Sequence, residues 1–182
     1  FDGVRAHSAR PWTGTNAIHR AVPLLEGVAS FEAATVDVDG LGYRESLQVV
    51  RVDGGIANNV VPDRCAVVVN RRYAPSRSLE DAVEEVRMLC ATAGADGVEV
   101  LNASAAAPPN LWNPLIAELV GVYNLPVRPK LGWTDVARFV AHGIPALNLG
   151  PGDPELAHTA DEKVDRGDLD GCTAVLASFL GL

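Results

Sequence analysis

The sequence predicts a mixed α/β protein built from two parts, and three observations support this. Residues 4–103 follow the order strand, helix, strand, strand, helix, strand. That order is typical of a ferredoxin-like βαββαβ domain, with two helices on one face of an antiparallel sheet. Residues 105–109 have the composition of a linker. After the linker, helical patterns alternate with short apolar runs, as in a parallel α/β layer.

Capping residues and apolar periodicity mark the helices. Asn16 is a candidate N-cap for a helix that continues to Val28, and Pro23 should bend or shorten it. Ser78 begins the most regular helical pattern, which Gly94 ends. Later helices are expected after Asn113 and over residues 134–141 and 165–182.

Runs of β-branched and apolar residues mark the strands. They lie at residues 4–7, 46–52, 64–73, 98–102, 126–131 and 144–149, with residues 33–44 as a loop or an irregular strand. The domains are therefore placed at residues 3–108 and 109–182. Two strands bury little surface, so the second domain should pack on a sheet that this chain does not supply. Together with the start at Phe1, this suggests a fragment of a longer protein.

Composition excludes several classes of partner. The 182 residues carry a formal net charge of −8, which disfavours a nucleic-acid partner because such binding needs clustered Lys and Arg. No apolar run approaches the roughly 20 residues of a membrane helix. Three widely spaced cysteines and the absence of a signal peptide indicate reduced thiols and a cytoplasmic location.

Five residues of the first part are candidates for binding or catalysis. His7 ends a strand and could donate a hydrogen bond to an oxyanion, or simply lie on the surface. Asn58 and Asn59 separate two strands and could bind a substrate carbonyl, although Asn also occurs in ordinary turns. Arg71 and Arg72 end the best strand on opposite faces, and one of them suits carboxylate binding.

Two residues of the second part are candidates as well. Thr134 opens a strand-to-helix turn that could bind an anion or cap the helix. His158 follows the Gly-Pro-Gly turn after residues 144–149, in a loop with four carboxylates, where an imidazole could bind a metal or transfer a proton. Glu84 and Glu85 lie opposite an apolar helix stripe and are interpreted as a solvated face.

Six motifs occur in an order and spacing that resemble one enzyme family. They are AHSARPW (6–12), NAIH (16–19), GIANNVVPD (55–63), NRRY (70–73), GWTD (132–135) and GPG through AH (150–158). The family is that of the co-catalytic zinc deacylases and exopeptidases, which includes aminoacylase, acetylornithine deacetylase and carboxypeptidase G. Within it, the motifs are most similar to those of the actinobacterial type of succinyl-diaminopimelate desuccinylase.

The resemblance implies a fold, a cofactor and a set of roles. It implies a ferredoxin-like lid that forms a homodimer, followed by the C-terminal part of a zinc-hydrolase domain. Two zinc ions, with cobalt as an alternative, would activate water and polarise the amide of a small N-acyl amino acid. His158 would be a zinc ligand, and His7 would steady the oxyanion in a neighbouring subunit. Asn58, Asn59, Arg72 and Thr134 would bind substrate carboxylates and carbonyls.

The other metal ligands and the general base of that family have no counterpart in this sequence. One His cannot hold a catalytic zinc, which usually takes three protein ligands, so the isolated chain is expected to be inactive. Acetylornithine deacetylase or a related metallo-carboxypeptidase is the alternative activity. A non-catalytic ferredoxin-like dimerisation module is the alternative of another class.

Overall fold

The computed structural model describes all residues, 1–182, and confirms a mixed α/β fold. The chain contains six strands and five α-helices; all six strands precede the second helix, and only the first helix lies among them. The strands are β1 Ala6–His7, β2 Thr35–Val38, β3 Leu41–Arg44, β4 Ser46–Gly54, β5 Val60–Val61 and β6 Cys65–Arg72. The helices are α1 Ala17–Ala29, α2 Leu79–Thr92, α3 Pro114–Val122, α4 Val136–Ala141 and α5 Arg166–Leu180. The contacts divide the chain into a first unit, Phe1–Pro108 with Leu131–Trp133, and a second unit formed by the remaining residues.

The strands of the first unit pair in three antiparallel ladders. These are β1 with β5, β2 with β3, and β4 with β6. The chain terminus runs beside β6, where Phe1 and Cys65 exchange backbone hydrogen bonds of 2.8 and 2.9 Å. Residues 33–44 were predicted to be a loop or an irregular strand. They contain the β2–β3 hairpin, and Asp39 and Gly40 form its turn at positive φ.

Both long helices of the first unit bury apolar side chains. Leu24 and Val28 of α1 and Cys90 of α2 join Leu47 of β4 in one buried cluster. A second cluster joins Ala17 and Ala21 of α1 to Cys65 of β6. Both clusters also contact Phe1 and Val67. Helix α1 therefore fixes the position of β6, and with it the terminal segment that leads to β1.

The predicted caps are confirmed. The side chain of Asn16 accepts from the backbone of Ile18 and His19, Ser78 accepts from Asp81, and Asn113 accepts from Leu115 and Ile116. Helix α1 runs through Pro23 to Ala29 without interruption, so the expected shortening was wrong.

Three predicted strands are absent. Residues 98–102, 126–131 and 144–149 form no ladder. In the second unit only Ile116 and Leu119 are buried apolar side chains. Ile144 is 51% exposed, so the expectation of a buried strand beside the Gly-Pro-Gly turn was also wrong. An apolar run becomes a strand only where another strand satisfies its backbone groups, and none does so here.

Candidate functional site

His7 is held at the end of β1 by pairing on one side and by a tight loop on the other. The β1–β5 ladder places His7 opposite Val60. The backbone N–H of Ala9 donates a 3.0 Å hydrogen bond to Nδ1 of His7. In a neutral imidazole the accepting nitrogen carries no proton, so Nε2 carries it. Nε2 makes no hydrogen bond within the chain and belongs to an exposed side chain, so it is a free donor.

The same ladder brings the Asn58–Asn59 turn beside His7. The backbone N–H of Ser8 donates to the carbonyl of Asn59 over 2.9 Å, and Val60 closes the turn by donating to Ala57 over 3.2 Å. Both Asn side chains are exposed and make no hydrogen bond within the chain. Strand pairing therefore assembles two side-chain amides and an imidazole N–H at one edge of the first unit.

The two consecutive arginines have opposite environments. The side chain of Arg71 is only 6% exposed and lies between Glu45 and Glu85, at 2.6 and 2.9 Å. Arg72 is exposed, and its guanidinium makes no hydrogen bond or ion pair within the chain. This confirms that the two side chains point to different faces, and it leaves Arg72 as the one available to a carboxylate ligand.

Arg72 and His7 do not belong to one cluster in this chain. Arg72 is the last residue of β6 and pairs with Ser46, whereas Cys65 at the first residue pairs with Gly54. Cys65 and Arg72, the two ends of β6, are seven residue steps apart, which is a distance of about 23 Å along the strand. No hydrogen bond joins Arg72 to His7 or to the Asn58–Asn59 turn.

Thr134 lies in the second unit, just before α4. Its hydroxyl Oγ1 accepts a 3.1 Å hydrogen bond from the side-chain amide of Asn148, and its carbonyl accepts from Ala137. The N-cap position of α4 belongs to Asp135, which makes no side-chain cap bond. The hydroxyl hydrogen of Thr134 remains available to a ligand, and its predicted role in binding substrate stays a prediction.

His158 lies in an exposed loop of the second unit with a left-handed backbone, at φ 66°. Its backbone N–H donates to the carboxylate of Glu162 over 2.9 Å, which fixes the turn. The imidazole makes no hydrogen bond within the chain. Of the nearby acids, Asp153 accepts from the backbone of Glu155 and lies 3.8 Å from Arg128.

The residues of this chain do not make a complete metal centre. No three side chains of the His, Cys, Asp or Glu type lie close enough together to hold an ion. The carboxylate of Glu162 serves the backbone of His158 and that of Asp153 serves the backbone of Glu155. The imidazole of His158 could serve as a single metal ligand, and the chain places no two further ligands of these types beside it.

A network that sequence reasoning missed surrounds Arg71. Glu45 is 5% exposed and accepts from Arg71 and from the backbone N–H of Ala74, the latter over 3.0 Å. Burial alone would raise the pKa of Glu45, but the amide of Ala74 and the guanidiniums of Arg71 and Arg77 outweigh it and lower that pKa. Glu85, which is half-exposed, accepts from both arginines and so belongs to this network, whereas Glu84 is exposed as expected of a solvated face.

No pattern in the sequence indicates this network. Glu45 follows the β2–β3 hairpin and lies 26 residues from Arg71. The one available signal is a charged residue inside an otherwise strand-like stretch, which must be paired if it is buried.

Comparison with known families covers almost the whole chain. Residues 1–98 match the family model described as the peptidase dimerisation domain, and residues 96–181 match the peptidase family M20/M25/M40. None of the five helices combines the length and the apolar character that a membrane span requires.

Named relatives agree with the family match. A Mycobacterium tuberculosis protein that carries the desuccinylase name DapE is 46% identical over 98% of this chain and 50% of its own length. A succinyl-diaminopimelate desuccinylase of Corynebacterium glutamicum is 44% identical over 98% of this chain and 49% of its own length. The chain thus spans about half the length of the curated relatives it matches.

Solved structures show the same fold. Aminopeptidase PepT from Bacillus cereus superposes with a TM-score of 0.65 at 20% identity, over 98% of this chain and 48% of its own. A tripeptidase from Staphylococcus aureus gives the same TM-score and identity, over 98% of this chain and 47% of its own. Because the two family models together match residues 1–181, the chain belongs to the M20 peptidase family, and residues 1–98 are the peptidase dimerisation domain of that family.

Proposed function

We propose that this chain is the lid and the C-terminal part of a zinc-dependent amide hydrolase. The substrate in the proposal is N-succinyl-LL-2,6-diaminopimelate, from which the enzyme removes succinate. Support comes from relatives at 44–46% identity that carry the desuccinylase name. Because the chain spans about half of each relative, the activity belongs to the full-length enzyme and not to these residues alone.

The observation that carries the proposal is the set of uncommitted polar side chains described above. His7 offers Nε2–H, the Asn58–Asn59 turn offers two amides, and Arg72 offers a free guanidinium. A substrate that carries three carboxylates and a scissile amide needs such groups. Arginine binds a carboxylate in a bidentate manner, and a neutral N–H donor stabilises the oxyanion that forms when the amide carbonyl is attacked.

The lid is proposed to form a homodimer. Residues 1–98 match a dimerisation domain. His7 and Arg72 belong to different clusters in one chain, which is consistent with His7 serving the site of a neighbouring subunit. Free thiols at Cys65, Cys90 and Cys172 accord with the proposed cytoplasmic location.

His158 is proposed to supply one metal ligand, and Thr134 is proposed to contact the substrate. Since no group of three metal-binding side chains exists in the chain, the remaining ligands and the general base must come from outside these residues. Zinc is the proposed ion, with cobalt as an alternative.

Kinetics of the full-length enzyme test the proposal. We expect N-succinyl-diaminopimelate to be hydrolysed and N-acetylornithine to be a poor substrate. His7→Ala should lower kcat by about 10²–10³, the usual effect of losing one oxyanion donor, and Arg72→Met should mainly raise KM. Comparable rates on both substrates, or unchanged kinetics in both variants, would refute the proposal.

Two alternatives have distinct outcomes in the same assay. Relatives named as carboxypeptidases reach 32% identity, and release of a C-terminal amino acid from peptides would favour a related metallo-carboxypeptidase. A non-catalytic dimerisation module would hydrolyse none of these substrates and would still form dimers.

A further inference from the structure

Arg72 stands in a stretch whose backbone is fixed although its own side chain is free. On its N-terminal side is Arg71, whose side chain is 6% exposed, and two residues beyond it is Ala74, which is 1% exposed. The guanidinium of Arg72 makes no contact with a polar group of the chain. An exposed guanidinium without a partner, on a backbone held by its buried neighbours, is the arrangement expected where a ligand is bound.

Arg71 fixes the first half of this stretch. Its guanidinium binds Glu45 at 2.6 Å and Glu85 at 2.9 Å, and lies 5.0 Å from the centroid of the Phe31 ring. The same guanidinium donates to the carbonyl of Arg72 itself. Arg71 therefore ties the peptide group of Arg72 to helix α2 and to the residue that precedes β4.

Glu45 fixes the second half. One carboxylate oxygen accepts from Arg71 and the other accepts from the backbone N–H of Ala74 over 3.0 Å. Between them, Tyr73 donates its hydroxyl hydrogen to the carbonyl of Ser104 over 2.8 Å. The backbone from residue 71 to residue 74 is thereby held at both ends by one buried carboxylate.

We propose that Glu45 and Arg71 are positioning residues for Arg72, whose guanidinium they aim at the carboxylate of the substrate. The proposal rests on the proposed function, which gives Arg72 its ligand. An arginine on a fixed backbone loses less conformational freedom on binding than one on a loose strand end. Buried ion pairs are weak evidence for stability on their own, so a role in orientation explains the network better than one in folding.

The test is a double-mutant cycle in the full-length enzyme with N-succinyl-diaminopimelate as substrate. Glu45→Gln should raise KM about tenfold and leave kcat within about twofold of the wild-type value. The contact that is weakened, between Arg72 and the substrate carboxylate, is made equally in the ground and transition states. In an Arg72→Met background, Glu45→Gln should change KM by less than about twofold, because no guanidinium remains to be aimed. Glu84→Gln, which removes the same charge from an exposed position of α2, is the matched control and should change neither constant.

The two possible failures are distinguishable. If Arg72→Met leaves KM unchanged, the role of Arg72 in the proposed function is overturned. If Arg72→Met raises KM but Glu45→Gln still raises it tenfold in that background, Arg72 keeps its role and the positioning proposal is overturned. Should Glu45→Gln fail to fold, Glu85→Gln carries the same cycle, because Glu85 is the half-exposed partner of Arg71 and leaves Glu45 in place.

Discussion

The backbone N–H of Ala9 and the Nδ1 atom of His7 are joined by a 3.0 Å hydrogen bond. Since the amide can only donate, Nδ1 must accept, and the neutral ring carries its proton on Nε2. The proposed oxyanion donor is therefore held in one neutral tautomer by the chain itself. The two residues are only two positions apart, so this relationship depends on local backbone geometry alone.

The first prediction concerns this tautomer. In long-range ¹H–¹⁵N spectra recorded where the imidazoles are neutral, we expect His7 to be almost entirely the Nε2–H form. His19 is exposed and its ring makes no hydrogen bond within the chain, so it serves as the internal control with a larger share of the other tautomer. A protonated Nδ1 at neutral His7 would contradict the structure.

The second prediction concerns the dependence of stability on pH. The pKa of Glu45 is lowered in the folded state, so the folded protein binds fewer protons there than the unfolded one. The contribution of Glu45 to stability is then complete above its unfolded pKa and is lost as pH falls through the lower folded value. Glu45→Gln should lower the free energy of unfolding by about 1–3 kcal/mol at pH 7, because it leaves the buried Arg71 with Glu85 as its remaining carboxylate partner.

Urea unfolding of wild type and variant between pH 7 and about pH 3 measures this difference. The gap between the two proteins should narrow as the pH falls, because protonation of Glu45 brings wild type closer to the Gln variant. Glu84→Gln is again the control and should follow wild type throughout. A gap that stays constant across this range would show that the charge of Glu45 is not what stabilises the strand end.

Local signals account for what the sequence predicted well. The caps at Asn16, Ser78 and Asn113 act within three residues, and helix periodicity needs no partner, so these helices lie where they were expected. The strand at His7 was expected, but its partner β5 was not, because two residues are too short a run to show a strand pattern. By contrast, residues 144–149 are as apolar as a strand but find no ladder, and nothing within such a run indicates whether a partner exists.

The arginine pair shows the same limit within the candidate site. Strand alternation predicts that Arg71 and Arg72 face opposite ways, and they do. Which of them is buried depends on Glu45 and Glu85, at separations of 26 and 14 residues. Strand alternation alone therefore left both arginines as candidates, and it was the resemblance to the zinc deacylases that pointed to Arg72.

The third prediction tests the close packing that holds the His7 segment. A Cβ atom on Gly3 would lie 2.2 Å from the carbonyl oxygen of Thr15, and one on Gly14 would lie 2.4 Å from that of Val4. Those carbonyls accept the hydrogen bonds, of 2.8 and 2.9 Å, that pair Val4 with Thr15. Gly3→Ala and Gly14→Ala should each lower the free energy of unfolding by about 1–3 kcal/mol or more.

Gly97→Ala is the matched control for these variants. A Cβ atom there meets nothing within 4 Å, so its effect should stay within about 0.5 kcal/mol. Chemical unfolding of the three variants gives the comparison directly. Equal stability of Gly3→Ala and Gly97→Ala would mean that the terminal segment does not pack against residues 14–16 as described.

The fourth prediction concerns zinc. His158 is exposed, its loop is fixed by the carboxylate of Glu162, and no set of three metal-binding side chains surrounds it. Because a catalytic zinc usually takes three protein ligands, this 182-residue chain should bind zinc no more tightly than a single surface imidazole does. Competition against a chromogenic chelator should detect no stoichiometric site, and His158→Ala should behave like wild type.

In the full-length enzyme the same substitution, His158→Ala, should lower zinc affinity sharply. Tight, equimolar zinc binding by the chain that His158→Ala abolishes would instead mean that its loops rearrange to complete a metal site by themselves.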